Sequence, residues 1–269
     1  MEVRPPAVAG MFYPGEPGRL TKLVDQMLAG VTTPGLAPKA MILPHAGYRY
    51  SGPTAAQGYA TLPAAADTIK YVVLLGPCHR VGVPALALPG ADALATPLGQ
   101  VPVWAEGASR LSGFDQVVTS PQVHAQEHSL EVHLPFLQRT VPDALVLPLA
   151  VGWVTPEAVA EVLDALWGGP ETLVVVSSDL SHYLPYAQAQ RTDQATLQQI
   201  VELAPALNHD QACGATPANG LMVAASQRCM APTVVSRCNS GDTSFDRSRV
   251  VGYAFVRFDQ PGETNVETA

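Results

Sequence analysis

A chain of 269 residues, 47% hydrophobic and only 14% charged, carries enough apolar material for one large core, which excludes a disordered or low-complexity protein. Its formal net charge of -8 argues against the basic stripe that a nucleic-acid binder needs to displace counterions from phosphate, so a small molecule or a peptide is the expected ligand and nucleic acid is not. No apolar run approaches the ~20 residues that cross a bilayer and no secretory leader opens the chain, so the reading is a cytoplasmic protein with no membrane partner, a single α/β domain over residues 1–269.

In chain order, Pro17–Leu28 has helical periodicity, and Ala40–Leu43 is a run of adjacent apolar residues of the kind buried on both faces of a sheet. Ser51 followed by Gly52-Pro53 marks a helix start leading to Tyr59, because proline suits a first turn where its missing N–H costs nothing. Tyr71–Leu75 is the next strand, Glu127–Gln138 the next helix, Ala144–Leu149 a strand and Pro156–Trp167 a helix. Leu173–Val176 is the fourth buried strand, followed by a long helix from about Ala187 to Leu203 and another starting at Thr216-Pro217. Thr233–Arg237 and Arg249–Phe258 flank a turn-rich segment and pair antiparallel at the sheet edge. Strand and helix alternating in this way predict a mostly parallel central sheet with helices on both faces. The four cysteines, Cys78, Cys213, Cys229 and Cys238, have no CxxC spacing and are expected as free thiols.

Ligands of open parallel sheets bind beyond the carboxyl ends of the strands. Three of the runs end alike: Ala40–Leu43 leads into Pro44-His45, Tyr71–Leu75 into Gly76-Pro77-Cys78-His79, and Leu173–Val176 into Ser177-Ser178-Asp179-Leu180-Ser181-His182. One histidine so placed is more often a hydrogen-bonded structural residue; three at equivalent topological positions point to a site. His45 and His79 are natural metal ligands, since neutral imidazole suits iron, copper and zinc. The third ligand is open between Asp179, whose alternative is to cap the turn, and Cys213, which precedes a helix start where unpaired N–H groups favour a thiolate. In Glu127-His128-Ser129-Leu130-Glu131-Val132-His133, His128 and His133 would stand about 140° apart on a helix and bind one ion poorly. His128, Glu131 and His133 are therefore expected to support the ligands by hydrogen bonds, unless the acids merely favour a helix start.

These motifs, together with Arg4-Pro5-Pro6-Ala7-Val8-Ala9-Gly10-Met11-Phe12-Tyr13-Pro14, His45-Ala46-Gly47-Tyr48-Arg49-Tyr50-Ser51-Gly52-Pro53, Ser240-Gly241-Asp242 and Arg249-Val250-Val251-Gly252-Tyr253, resemble the Memo family, whose prokaryotic members are called AmmeMemoRadiSam system protein B. The resemblance runs from Arg4 to about Phe258 and leaves 259–269 as a flexible tail. It implies a class III extradiol dioxygenase-like fold and a metal site with ligands at His45, His79 and Cys213, beside Asp179 and His182. The dioxygenases join their two histidines with a carboxylate, where the match here falls on a cysteine; a thiolate suits copper, zinc or a more covalent iron, so ring opening does not carry over. The resulting expectation is an iron or copper protein, with zinc the further candidate, doing oxygen or redox chemistry on a small molecule. His182 serves as the acid–base group, Asp179 orients it or the substrate, and Tyr48, Tyr50 and Tyr183 line the mouth. Two rival readings are a hydrolase or transferase with Cys213 as nucleophile, and a non-catalytic adaptor that binds a peptide in the same pocket. The family name also implies radical SAM and AMMECR-type protein partners.

Overall fold

The four runs of adjacent apolar residues become the middle of a nine-stranded sheet, seen in a computed structural model that describes residues 1–32, 35–244 and 246–261. In chain order the elements are β1 (Val3–Arg4), α1 (Pro17–Ala29), β2 (Ala40–Leu43), α2 (Tyr48–Tyr59), β3 (Tyr71–Pro77), β4 (Leu86–Leu88), β5 (Ala93–Thr96), β6 (Gly99–Pro102) and α3 (Ala105–Arg110). There follow β7 (Val117–Thr119), α4 (Pro121–Ala125), α5 (Leu134–Thr140), β8 (Leu145–Val151), α6 (Pro156–Leu166), β9 (Thr172–Ser177) and β10 (His182–Leu184). The chain continues with α7 (Tyr186–Val201), α8 (Ala215–Gln227), β11 (Ala231–Asn239), α9 (Gly241–Ser244) and β12 (Val250–Asp259).

The sheet runs β10-β12-β2-β9-β3-β8-β4-β7, with β11 paired to β12. Its centre, β2-β9-β3-β8, is parallel, whereas β12 joins β2 and β4 joins β8 antiparallel. A separate three-stranded sheet, β1-β5-β6, was not visible in the sequence. Alternation along the central strands divides the core. Ile42, Val73, Leu75, Leu147, Val174 and Val176 face α6, α7 and α8; Met41, Leu43, Val72, Leu74, Val146 and Val175 face α1, α2 and α5. Helices therefore cover both faces, the mixed α/β arrangement the alternating pattern predicts.

Three expectations about helix starts are corrected. The helix placed at Glu127 begins at Leu134, after a single 3₁₀ turn over Glu131–His133, with Pro135 in its first turn. Glu127 instead folds its carboxylate back onto the N–H groups of His128 and Ser129, at 2.9 and 3.0 Å. α2 starts at Tyr48, whose N–H is held by the Phe12 carbonyl at 2.8 Å, so Pro53 lies inside the helix. α8 is capped by Gly214 rather than Thr216. Between Asp179 and His182 there is no helical turn, only extended chain entering β10. Most of the segment expected as a tail, from 262 on, lies outside the described residues. Among the described residues no helix is long and apolar enough to cross a membrane.

Candidate metal centre

The adjacent strands β2, β9 and β3 end together, and His45, Asp179 and His79 each follow their strand by two residues. Topology alone brings these three side chains to one place. The third imidazole is supplied by the irregular segment before α5: one donor nitrogen from each of His45, His79 and His128 lies within 4.8 Å of the other two. Their ring centroids are 5.1 Å apart for His45 and His79, 5.4 Å for His45 and His128, and 4.5 Å for His79 and His128. Where the sequence reading expected Cys213 to complete the set and His128 to support it, the structure puts His128 in the set and Cys213 at its side.

Which ring nitrogens are free follows from counting protons around Ser177. Its buried hydroxyl donates to the Ser129 carbonyl at 2.6 Å, which uses its one proton because a carbonyl can only accept. The two imidazole nitrogens against the same oxygen, His45 Nδ1 at 2.6 Å and His133 Nε2 at 2.9 Å, must then both donate. His45 Nε2 is left with its lone pair. His133 Nδ1 is likewise an acceptor, and the Tyr59 hydroxyl donates to it at 2.8 Å. Burial, with the neighbouring imidazoles, holds His45 neutral, its pKa well below the ordinary histidine value; burial alone lowers His133 to about 3. His133 is thus linked to His45 through the Ser177 hydroxyl.

Glu127 does for His79 what Ser177 does for His45. Its Oε2 accepts the His79 backbone N–H at 2.5 Å and its Oε1 the ring Nδ1–H at 2.9 Å, which leaves His79 Nε2 as the open donor. Burial would raise the pKa of this carboxyl, but the His128 and His79 rings and the Ser129 N–H outweigh it and hold the group well below the usual carboxylate range. His128 Nδ1 lies 3.2 Å from Glu127 Oε1 without hydrogen-bond geometry and, among the described residues, is a buried ring nitrogen with no hydrogen-bond partner. Three imidazoles with donor nitrogens within 4.8 Å of one another, two of them held at Nδ1 by Ser177 and Glu127, fit a cation, and neutral imidazoles suit iron, copper or zinc.

Cys213 stands next to His45, its Sγ 3.4 Å from Nε2, so the thiol points at the open lone pair. Its expected helix-terminus activation is overridden: burial and the Asp179 charge push its pKa up, and the sulfur is a thiol in the absence of a metal. Asp179 is buried, burial raises its pKa, and its carboxylate accepts the His45 backbone N–H at 2.8 Å. It therefore anchors His45, and among the hydrogen bonds of the described residues none joins it to the His182 ring.

A cavity of about 670 Å³ opens on this cluster, with His79, Cys213, His182, Tyr183 and His209 in its wall. Tyr183 stands in the cavity wall, 62% exposed and held at a left-handed φ of +59°. Tyr48 does not. It is buried against Tyr13 and Phe136, and its hydroxyl donates to the Val132 carbonyl at 2.6 Å. Tyr50 is half-buried, with Arg49 over its ring, and is not in the cavity wall. Glu131 also departs from its expected role: it is an ion-pair partner of Arg4 and accepts from Ala7 N, Val8 N and the Tyr13 hydroxyl, turned away from the imidazoles. The residues that sequence reasoning missed are Ser177, Glu127 and His209. The signal for the first two lay in the same motifs, one position from Ser178-Asp179 and from His128.

The family model described as Memo-like protein matches residues 4–257. A MEMO1 family protein of Aquifex aeolicus is 36% identical over 271 residues, covering 96% of this chain and 100% of its own length. A MEMO1 family protein of Ignicoccus hospitalis is 35% identical, over 97% of this chain and 100% of that one. Among solved structures, an uncharacterized protein from Escherichia coli K12 aligns with a TM-score of 0.55 at 13% identity, over 81% of this chain and 98% of that chain, a likeness of fold.

Proposed function

The chain belongs to the Memo-like protein family, and on that premise we propose that it is a metalloprotein whose ion is held by His45, His79 and His128, with a redox reaction on a small molecule as its function. The observation that supports this most is the mutual approach of three imidazole donors to within 4.8 Å, two of them fixed in the ligating tautomer by Ser177 and Glu127. Iron or copper bound there would supply one-electron chemistry. The protein's own groups divide the remaining work. Cys213, 3.4 Å from His45 Nε2, is the neighbour able to join the donor set, and giving up its proton to do so is the step that burial opposes. His182 reaches the substrate cavity without contributing to the three-imidazole set, and it takes or gives the substrate's proton there. Tyr183 offers an exposed ring at the entrance. A class III extradiol dioxygenase-like ancestry is part of this proposal as a fold relation; ring opening is not, because the donor set has no carboxylate.

Metal analysis of protein purified without oxygen tests it. His45→Ala, His79→Ala and His128→Ala are each expected to lose the metal, whereas His182→Ala keeps the metal and loses turnover by ~10²–10⁴. Retention of metal by all three ligand variants would refute the assignment.

The 3.4 Å approach of Cys213 and His45 also favours a second reading, a thiol nucleophile with an imidazole base. Metal-free protein alkylated rapidly at Cys213 would support it over the first. A peptide-binding adaptor role, and association with radical SAM and AMMECR-type proteins, rest on the family resemblance alone.

A further inference from the structure

The segment that carries Glu127 and His128 has little regular structure of its own: it lies between α4, which ends at Ala125, and the 3₁₀ turn at Glu131. On one side it is held by Ser177, Pro77 and His79; on the other it is held by the N-terminal strap, residues 4–13. The buried Arg4 guanidinium donates to the His124 carbonyl from Nε and Nη2, at 3.0 and 2.9 Å, and to the Glu127 carbonyl from Nη2 at 2.5 Å. Its Nη1 pairs with the fully buried Glu131 carboxylate. Glu131 also takes Ala7 N at 2.7 Å on the oxygen that meets Arg4, and Val8 N at 3.0 Å and the Tyr13 hydroxyl at 2.5 Å on the other. Phe12, between these anchors, lays its ring 4.7 Å from the His128 ring. Every one of these contacts falls on residues 124–131, the stretch that must present the third imidazole.

A buried ion pair is a poor way to stabilise a fold, since desolvation offsets the attraction and an apolar pair of similar volume serves as well or better. What a forked guanidinium supplies instead is direction: three carbonyl contacts and a carboxylate in one plane. We infer that the N-terminal strap is a positioning element, in which Arg4, Glu131 and Phe12 hold the Glu127–His128 segment so that the third imidazole stays in register with His45 and His79. The inference rests on the three-imidazole reading. Arg4 and Phe12 are positioning residues; neither belongs to the donor set.

The test uses the full chain and Co(II) as probe, reading its dissociation constant by competition and its d–d absorption, beside the thermal midpoint of the metal-free protein. Arg4→Met is expected to weaken Co(II) binding ~10–100-fold, the usual cost of losing support behind a ligand, and to move the d–d bands toward those of His128→Ala. Added to His128→Ala, it should cost less than about twofold more, because the ring it positions is already gone. Arg4→Lys separates position from charge. It keeps a cation for Glu131 and should restore the thermal midpoint, but without the fork it should leave Co(II) binding weakened. Phe12→Leu, which keeps the ion pair and serves even where Arg4→Met fails to fold, is expected to weaken binding severalfold at an unchanged midpoint. The strap proposal is overturned if His128→Ala weakens Co(II) binding while Phe12→Leu and Arg4→Lys bind like wild type, or if the Arg4 and His128 losses simply add. If His128→Ala itself binds Co(II) like wild type, the three-imidazole reading fails, and the strap proposal with it.

Discussion

Ser177→Ala isolates the proton count on which the ligating tautomer of His45 depends. The hydroxyl is fully buried and has three partners, Ser129 O, His45 Nδ1 and His133 Nε2. Removing it strands two imidazole donors, each costing about 1–3 kcal/mol when left unsatisfied, for a total of about 2–6 kcal/mol. The space vacated by one oxygen is too small for a water to replace it. His45 can reduce its share by moving its proton to Nε2, but that nitrogen is the one open toward Cys213 and the other rings. The variant thus loses either stability or the donor. Urea unfolding of the metal-free protein should show the destabilisation, long-range ¹⁵N–¹H spectra of the imidazoles should show the tautomer shift, and metal affinity should fall ~10–100-fold. A variant within about 0.5 kcal/mol of wild type, with unchanged imidazole ¹⁵N shifts, would refute the assignment of both His45 and His133 as donors to Ser177.

Burial holds His124 at a pKa of about 4 and His133 at about 3, with His45 also well below its ordinary value. All three are neutral when folded while the unfolded chain takes up protons below 6.5, so stability is full above that pH and falls by about 1.4 kcal/mol per pH unit for each histidine as the pH drops toward the folded values. A urea midpoint that does not move between pH 7 and pH 5 would contradict this. Gly214→Ala would set its Cβ 2.5 Å from the Ser177 carbonyl and 2.6 Å from Ser178 Cβ. We expect it to cost about 1–3 kcal/mol and to speed alkylation of the adjacent Cys213 as the cap shifts, both measurable on the metal-free protein. In the wild type, Cys229 is exposed, whereas Cys213 is half-buried with its thiol pKa pushed up by burial and the Asp179 charge, so iodoacetamide with mass spectrometry should find Cys229 modified before Cys213; the reverse order would support the nucleophile reading.

The central strands were readable because burial on both faces leaves a signature of adjacent apolar residues, and Ala40–Leu43 was bounded correctly to the residue. β1, β4, β5, β6 and β7 were not readable. They are two to four residues long, too short for a period of two to repeat, and long-range pairing, which local sequence does not encode, is what makes them strands. The same limit applies to Arg4 and Glu131, 127 positions apart in the chain. Nothing local in the sequence pairs the two, and only the fold shows that they neutralise one another inside it.

His128 was missed for a different reason, and the information was present. The angular argument against it assumed a helix running from Glu127, on which His128 and His133 diverge. Pro135 contradicts that helix: nine residues in, it would remove an interior hydrogen bond and clash with the preceding turn, whereas in the first turn of a helix beginning at Leu134 it costs nothing. With the helix start moved to Leu134, Glu127-His128-Ser129 becomes a loop delivered to the ends of the strands, where a histidine is free to turn toward His45 and His79. Helix geometry can place side chains only after the helix boundary is settled. Here one proline settles the boundary and turns a residue dismissed as support into a candidate ligand, while the placement of His45 and His79, two residues beyond β2 and β3, depends on the sheet and on no helix boundary.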